Sequence, residues 1–116
     1  MEKYFEEIPK IAITVSDKEG NVLDLNQRSI SVNAKEIGKG LIGKSLYDCH
    51  PPRAAAILRE LYATERVNAY TIEKNGIKKL IYQTPWYENG EFGGYVEFSL
   101  EIPMEMPHYV RTPKAE

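Results

Sequence analysis

Two Asn-Gly pairs constrain this chain more than any other feature. Asn75-Gly76 separates residues 67–74 from 78–87, and Glu88-Asn89-Gly90-Glu91 separates the latter from 92–102. Asn-Gly is the pair that accepts positive φ at both centres of a tight hairpin turn, so three consecutive antiparallel strands are expected. In the last of them Val96, Phe98, Leu100 and Ile102 alternate with Tyr95, Glu97, Ser99 and Glu101. That period of two predicts a sheet with one apolar, covered face.

An earlier hairpin has the same character. Ile11, Ile13 and Val15 alternate with Ala12, Thr14 and Ser16, Asp17-Lys18-Glu19-Gly20-Asn21 makes a turn, and 22–26 returns. From 27 to 45 the alternation fades. Ile30, Ala34 and Ile37 are spaced for short helical turns, and Gly38, Gly40 and Gly43 interrupt anything longer. Pro51-Pro52 then suits the first turn of a helix, where a missing N–H costs nothing, with Asp48 or His50 as helpers at its cap. Its apolar stripe is Ala54, Ile57, Leu58 and Leu61, with Tyr62 on the edge, and it ends near Thr64. At the start, Met1, Tyr4, Phe5 and Ile8 form a short stripe stopped by Pro9. A helix that brief must pack on its own sheet or on a second copy.

The expected class is therefore α+β: a five-stranded antiparallel sheet whose apolar face is covered by the central helical block. Residues 1–9 form an N-terminal helical cap, 10–103 the domain, and 104–116, with Pro107 and Pro113, an extended tail. At 116 residues one modest core is affordable. With 42% hydrophobic and 28% charged residues the composition is that of an ordinary globular domain. A net charge of −2 supplies no basic field for nucleic acid. The N-terminus lacks the basic and apolar regions of a signal peptide, and no apolar run reaches the length of a membrane helix. One cysteine fits a reducing compartment. A cytoplasmic protein without membrane or nucleic-acid partners is expected.

Residues 40–52, Gly-Leu-Ile-Gly-Lys-Ser-Leu-Tyr-Asp-Cys-His-Pro-Pro, hold most of the chemically distinctive side chains. Gly38 to Ser45 satisfies the phosphate-loop pattern, in which Lys44 would meet phosphates and Ser45 a magnesium ion. Its context is wrong. Glu36-Ile37 is not a buried strand, and Pro51 allows a helix from Ser45 little more than a turn. Cys49 and His50 are adjacent, so they point differently and do not chelate one ion; no metal site is expected. His50 alone could ligate a haem iron, and Cys49 near a helix start could sense redox state; the plainer reading has Cys49 packed and His50 hydrogen-bonded. Among the aromatics, Tyr62, Tyr82 and Trp86 suit either a pocket for a small ligand or simple core filling. Two histidines and scattered carboxylates assemble no catalytic set, so no enzyme is expected.

These residues, in this order, resemble a PAS domain over about residues 8–102. The resemblance is carried by Ala12–Asp17 with Gly20-Asn21-Val22, by Gly40-Leu41-Ile42-Gly43-Lys44-Ser45, and by Asn89-Gly90-Glu91-Phe92-Gly93-Gly94-Tyr95-Val96-Glu97. Asp48-Cys49-His50-Pro51-Pro52 resembles the subgroup with a Cys-His-Pro-Pro box. The resemblance implies a sheet with helices over one face, a sensory or interaction role, and homodimerisation through an N-terminal helix. A flavin-photosensor box is missing, so light sensing is not implied. Haem-binding members usually place their histidine inside the long helix, whereas His50 precedes it. The reading is a free-standing sensory module binding a small ligand between sheet and long helix, with Cys49, His50, Tyr62, Tyr82 and Trp86 as pocket residues. It would signal through a dimer or a separate protein. A haem or thiol-redox sensor is one alternative, and a ligand-free dimerisation module is another.

Overall fold

The computed structural model describes residues 1–33, 40 and 42–113, the Cys49 side chain excepted. Its elements run α1 (Lys3–Glu6), β1 (Ile11–Ser16), β2 (Val22–Leu25), α2 (Gln27–Val32), α3 (Leu46–Cys49), α4 (Pro52–Thr64), β3 (Asn68–Lys74), β4 (Ile77–Glu88) and β5 (Glu91–Ile102). The five strands form one antiparallel sheet in the order β2-β1-β5-β4-β3. The α+β architecture is the expected one.

Local chemistry explains the turns. Asn75 and Gly76 take φ of 54° and 78°, and Asn89 and Gly90 take 52° and 81°, the left-handed pair that follows the twist of the flanking strands. The β4–β5 ladder is not a simple continuation of its turn. Tyr87 pairs with Phe92 but Trp86 pairs with Gly94, so Gly93 is an extra residue, and every later pair is displaced by one. The Trp86 ring lies over Gly93, where a Cβ would come within 2.2 Å of it.

α4 begins with proline in its first turn, as the Pro51-Pro52 pair requires, and closes on Glu65 in the left-handed conformation. Its buried residues are Ala55, Leu58, Leu61 and Tyr62, a stripe rotated from the expected one; Ile57 is 49% exposed. Neither Asp48 nor His50 caps this helix. Instead Ser45 caps α3, accepting from the Tyr47 N–H, and His50 Nδ1 donates to the Leu46 carbonyl at 2.7 Å. α1 spans one turn, shorter than the stripe from Met1 to Ile8 suggested. Of the helical turns expected in 27–45, the first is α2; Ala34 and Ile37 lie outside the described residues. The phosphate-loop reading places Gly38, Lys39 and Leu41 outside them too, and its end leads into a helix of only four residues. Gly43 and Lys44 pair by backbone with Val22.

The covered face differs from expectation. Thr14, Glu97, Gln83 and Asn68 share one face by register, and α2 and α4 lie over that face. The apolar alternates Ile13, Val15, Val96 and Phe98 point to the other side, where Met1 and Phe5 from the N-terminal segment lie against them. Aromatic and polar groups, not the aliphatic stripe, therefore meet the helices. The reason is the chemistry of α4: Tyr62 reaches the Ser16 hydroxyl, and the Tyr95 hydroxyl lies 2.6 Å and 2.7 Å from the Leu61 and Arg66 carbonyls, sharing its proton between them. No helix among the described residues is long and apolar enough to cross a membrane.

Candidate functional site

A cavity of about 50 Å³ lies between the sheet and α4. Thr14 and Ser16 of β1, Gln83 of β4, and Tyr95 and Glu97 of β5 form its floor. Leu46, Leu58, Leu61 and Tyr62 form its roof, and His50 stands at the junction of α3 and α4. It opens past His50, Leu58, Leu61, Gln83 and Glu97 into a groove of about 490 Å³, bordered by Ile57 and Leu58 of α4, Arg66, and Asn68 and Tyr70.

The floor carries a polar row across four strands. Asn68 Nδ2 donates to Gln83 Oε1 at 2.8 Å, and Gln83 Nε2 donates to Glu97 Oε1 at 3.1 Å. Thr14 stands opposite Glu97 in the ladder, and its hydroxyl bonds the Ser29 hydroxyl of α2 at 2.6 Å. Because Asn68 occupies the Gln83 carbonyl, the Gln83 amide is turned donor-first toward Glu97. No described residue donates to the second Glu97 oxygen. Burial raises the Glu97 carboxyl above its ordinary range, and the Gln83 hydrogen bond and the His50 charge pull it partly back.

Above the row is an aromatic cluster. Tyr62 packs against Tyr95 with centroids 4.6 Å apart, and Tyr47 and Phe92 meet it edge-on. Burial pushes the Tyr62 hydroxyl up to about 12, against the lowering effect of its Ser16 bond. The nearby guanidinium groups are engaged elsewhere. Arg66 makes a two-pronged pair with Glu60 at 2.9 and 2.7 Å, and Arg59 lies over the Tyr47 ring.

Of the five pocket residues expected from sequence, the structure brings His50 and Tyr62 to the cavity. Tyr82 and Trp86 do not line it. Tyr82 neighbours Gln83 and so points to the opposite face, where it is 39% exposed opposite Phe98. Trp86 shares that parity and lies over Gly93, its indole N–H donating to the Ser16 carbonyl at 2.9 Å. The Cys49 side chain lies outside the described residues. Thr14, Asn68, Gln83 and Glu97 escaped the sequence reading because each alone is an ordinary polar residue on a strand. The signal that could have found them is register: one row contains all four.

His50 was also a candidate haem ligand. With Nδ1 bonded to a carbonyl its Nε2 is left free, but the groove beside it is lined by the polar Glu60, Arg66, Asn68, Gln83 and Glu97, and the cavity itself holds only a small group. Its floor is a carboxyl-bearing row, not a flat apolar slot. The residues as arranged do not fit a haem. Among the described residues no three His, Cys, Asp or Glu side chains gather to hold a metal ion.

No protein-family model and no curated protein sequence matches this chain. Solved structures do. The PAS domain of BvgS from Bordetella pertussis is similar at TM-score 0.60 and 22% identity, over 86% of this chain and 82% of that one. The Aer2 receptor from Vibrio cholerae, described as a dual PAS-heme oxygen sensor, is similar at TM-score 0.60 and 15% identity, over 80% and 95%. VqmA bound to DPO is similar at TM-score 0.64 and 14% identity, over 84% of this chain and 55% of that one. The chain has the PAS fold.

Proposed function

We propose that this PAS-fold chain is a sensory module of the PAS family that takes a small ligand into the cavity between sheet and α4 and transmits occupancy through its N-terminal segment to a second copy or a partner protein. The observation that carries the reading is the polar floor under an apolar roof, open to a groove along α4. A core built for stability alone would have placed the aliphatic face of the sheet beneath the helix. Similar folds serve ligands of other kinds: one similar structure is described as a haem sensor, another as bound to DPO. The role is sensing without catalysis.

A chain of hydrogen bonds supports the reading. Asn26 bonds the Phe5 carbonyl on one side and the Ser29 N–H on the other, and Ser29 bonds Thr14 beside Glu97. A change at the cavity floor therefore has a hydrogen-bonded route to the segment that lies on the outer face.

Native mass spectrometry of the protein purified from cells, with Leu58→Trp as a filled-cavity control, tests the reading. A stoichiometric mass excess in the wild type that the variant lacks is expected. A bare wild-type mass, with no rise in Tm across a broad metabolite screen, would sink it. The half-exposed apolar outer face favours a second reading, a dimerisation module without ligand, and that outcome would leave it standing.

A further inference from the structure

Resting on the cavity reading above, we infer that the cavity selects a small primary amine, its ammonium held at Glu97 and its short apolar tail lying under Leu58 along the groove. Glu97 accepts one hydrogen bond, from Gln83, and its second oxygen has no donor among the described residues. Apart from His50, which borders the same cavity but makes no ion pair with Glu97, each neighbouring donor is committed elsewhere. The Thr14 hydroxyl is with Ser29, the Tyr62 hydroxyl with Ser16, the Tyr95 hydroxyl with two carbonyls, and Arg66 with Glu60. A half-buried carboxyl in that position has no ion-pair partner among the described residues, and the chain's own nearby guanidinium is already neutralised.

The ligand classes separate on charge and donor count. An anion would meet the Glu97 carboxylate with no cation but His50 to offset it. An alcohol brings one donor. An ammonium brings three, together with the missing positive charge, and the floor around Glu97 is rich in oxygen acceptors: the carboxylate and the Thr14 and Ser16 hydroxyls. Size agrees. A space of about 50 Å³, several times the roughly 10–15 Å³ needed to admit one water, accommodates an ammonium head and a carbon or two. The remaining chain must leave past Leu58 and Leu61 into the groove, where Ile57 and Tyr70 offer apolar surface.

The test uses three isosteric probes, n-butylamine, n-butanol and butyrate, titrated into the full chain at mildly alkaline pH, with backbone amide NMR shifts of Leu61, Gln83 and Glu97 as readout. Butylamine is expected to give saturable shifts, to bind more tightly than butanol, and to lose roughly tenfold or more in affinity in Glu97→Gln. If butanol or butyrate binds as well as the amine, or if Glu97→Gln leaves butylamine affinity unchanged, the amine assignment fails while the cavity reading survives. If none of the three shifts these residues, the assignment fails, and the mass measurement decides the cavity reading separately.

Discussion

Glu97 shows how one side chain sets a pH signature for the whole domain. Its carboxyl is raised by burial in the folded protein, whereas in the unfolded chain it ionises in its ordinary range. Between those two values the folded state keeps a proton that the unfolded state has released. Stability therefore falls as pH climbs through that window and levels off above it. Glu97→Gln removes the penalty: its Tm should exceed the wild type's at neutral pH, by roughly 4 °C per kcal/mol recovered. The two curves should meet in acid, below the ordinary carboxyl range. A Tm difference independent of pH would show that Glu97 keeps its charge without cost. Tyr62→Phe makes a separate point, because it deletes the hydroxyl that meets Ser16 and leaves the ring stack intact. It should cost about 1 kcal/mol in urea denaturation.

Elements differ in how far a sequence exposes them. The hairpins were legible because Asn75-Gly76 and Asn89-Gly90 encode their own backbone, and α4 because Pro51-Pro52 marks its start. The two-residue turn at Asn75-Gly76 also places Asn68 opposite Gln83. The partner of Gln83 on β5 was hidden. Counting back from Asn89-Gly90 pairs Gln83 with Val96; the extra residue at Gly93 shifts it to Glu97 and so completes the polar row. Which face meets the helices was hidden as well, since alternation gives two faces without saying which is covered. His50 and Tyr62 reach the cavity because they sit on or beside α4, and Tyr82 and Trp86 fall on the other face because aromatic character carries no parity. The bulge region can be probed directly. A Cβ at Gly94 would stand 2.0 Å from the Ser16 carbonyl oxygen, a backbone atom that cannot turn aside. Gly94→Ala should cost at least about 3 kcal/mol. Gly76→Ala, with open space around it and only a left-handed φ to accommodate, should cost about 1–2 kcal/mol. Equal losses by urea denaturation would contradict the close approach of β5 to β1.

For the whole molecule the consequence of the inverted faces is a half-exposed apolar surface. Val15, Tyr82, Val96 and Phe98 share a side of the sheet that Met1 and Phe5 cover only in part. A patch of that kind marks an interaction site. On the reading proposed above, a second copy covers it. Light scattering should then report a dimer for the wild type and a monomer for Tyr82→Glu. Tyr82 lies opposite the cavity, so this variant should keep whatever ligand the wild type carries. Loss of ligand together with the dimer would mean that the cavity is completed across the interface, and a wild-type monomer at micromolar concentration would refute self-association through this face.

Asn26 is fully buried, and its short amide makes four hydrogen bonds at once: it accepts from the Ile13 and Ser29 N–H groups and donates to the Phe5 and Ile11 carbonyls. Aspartate at this position would lose both donors and bring a charge, glutamine would carry the same group one methylene too far, and serine could serve at most one carbonyl. Three segments of chain thus agree on a single letter of the amino-acid alphabet. In the language of inheritance this locus has almost no synonyms: any other letter leaves at least one of these backbone groups without its partner.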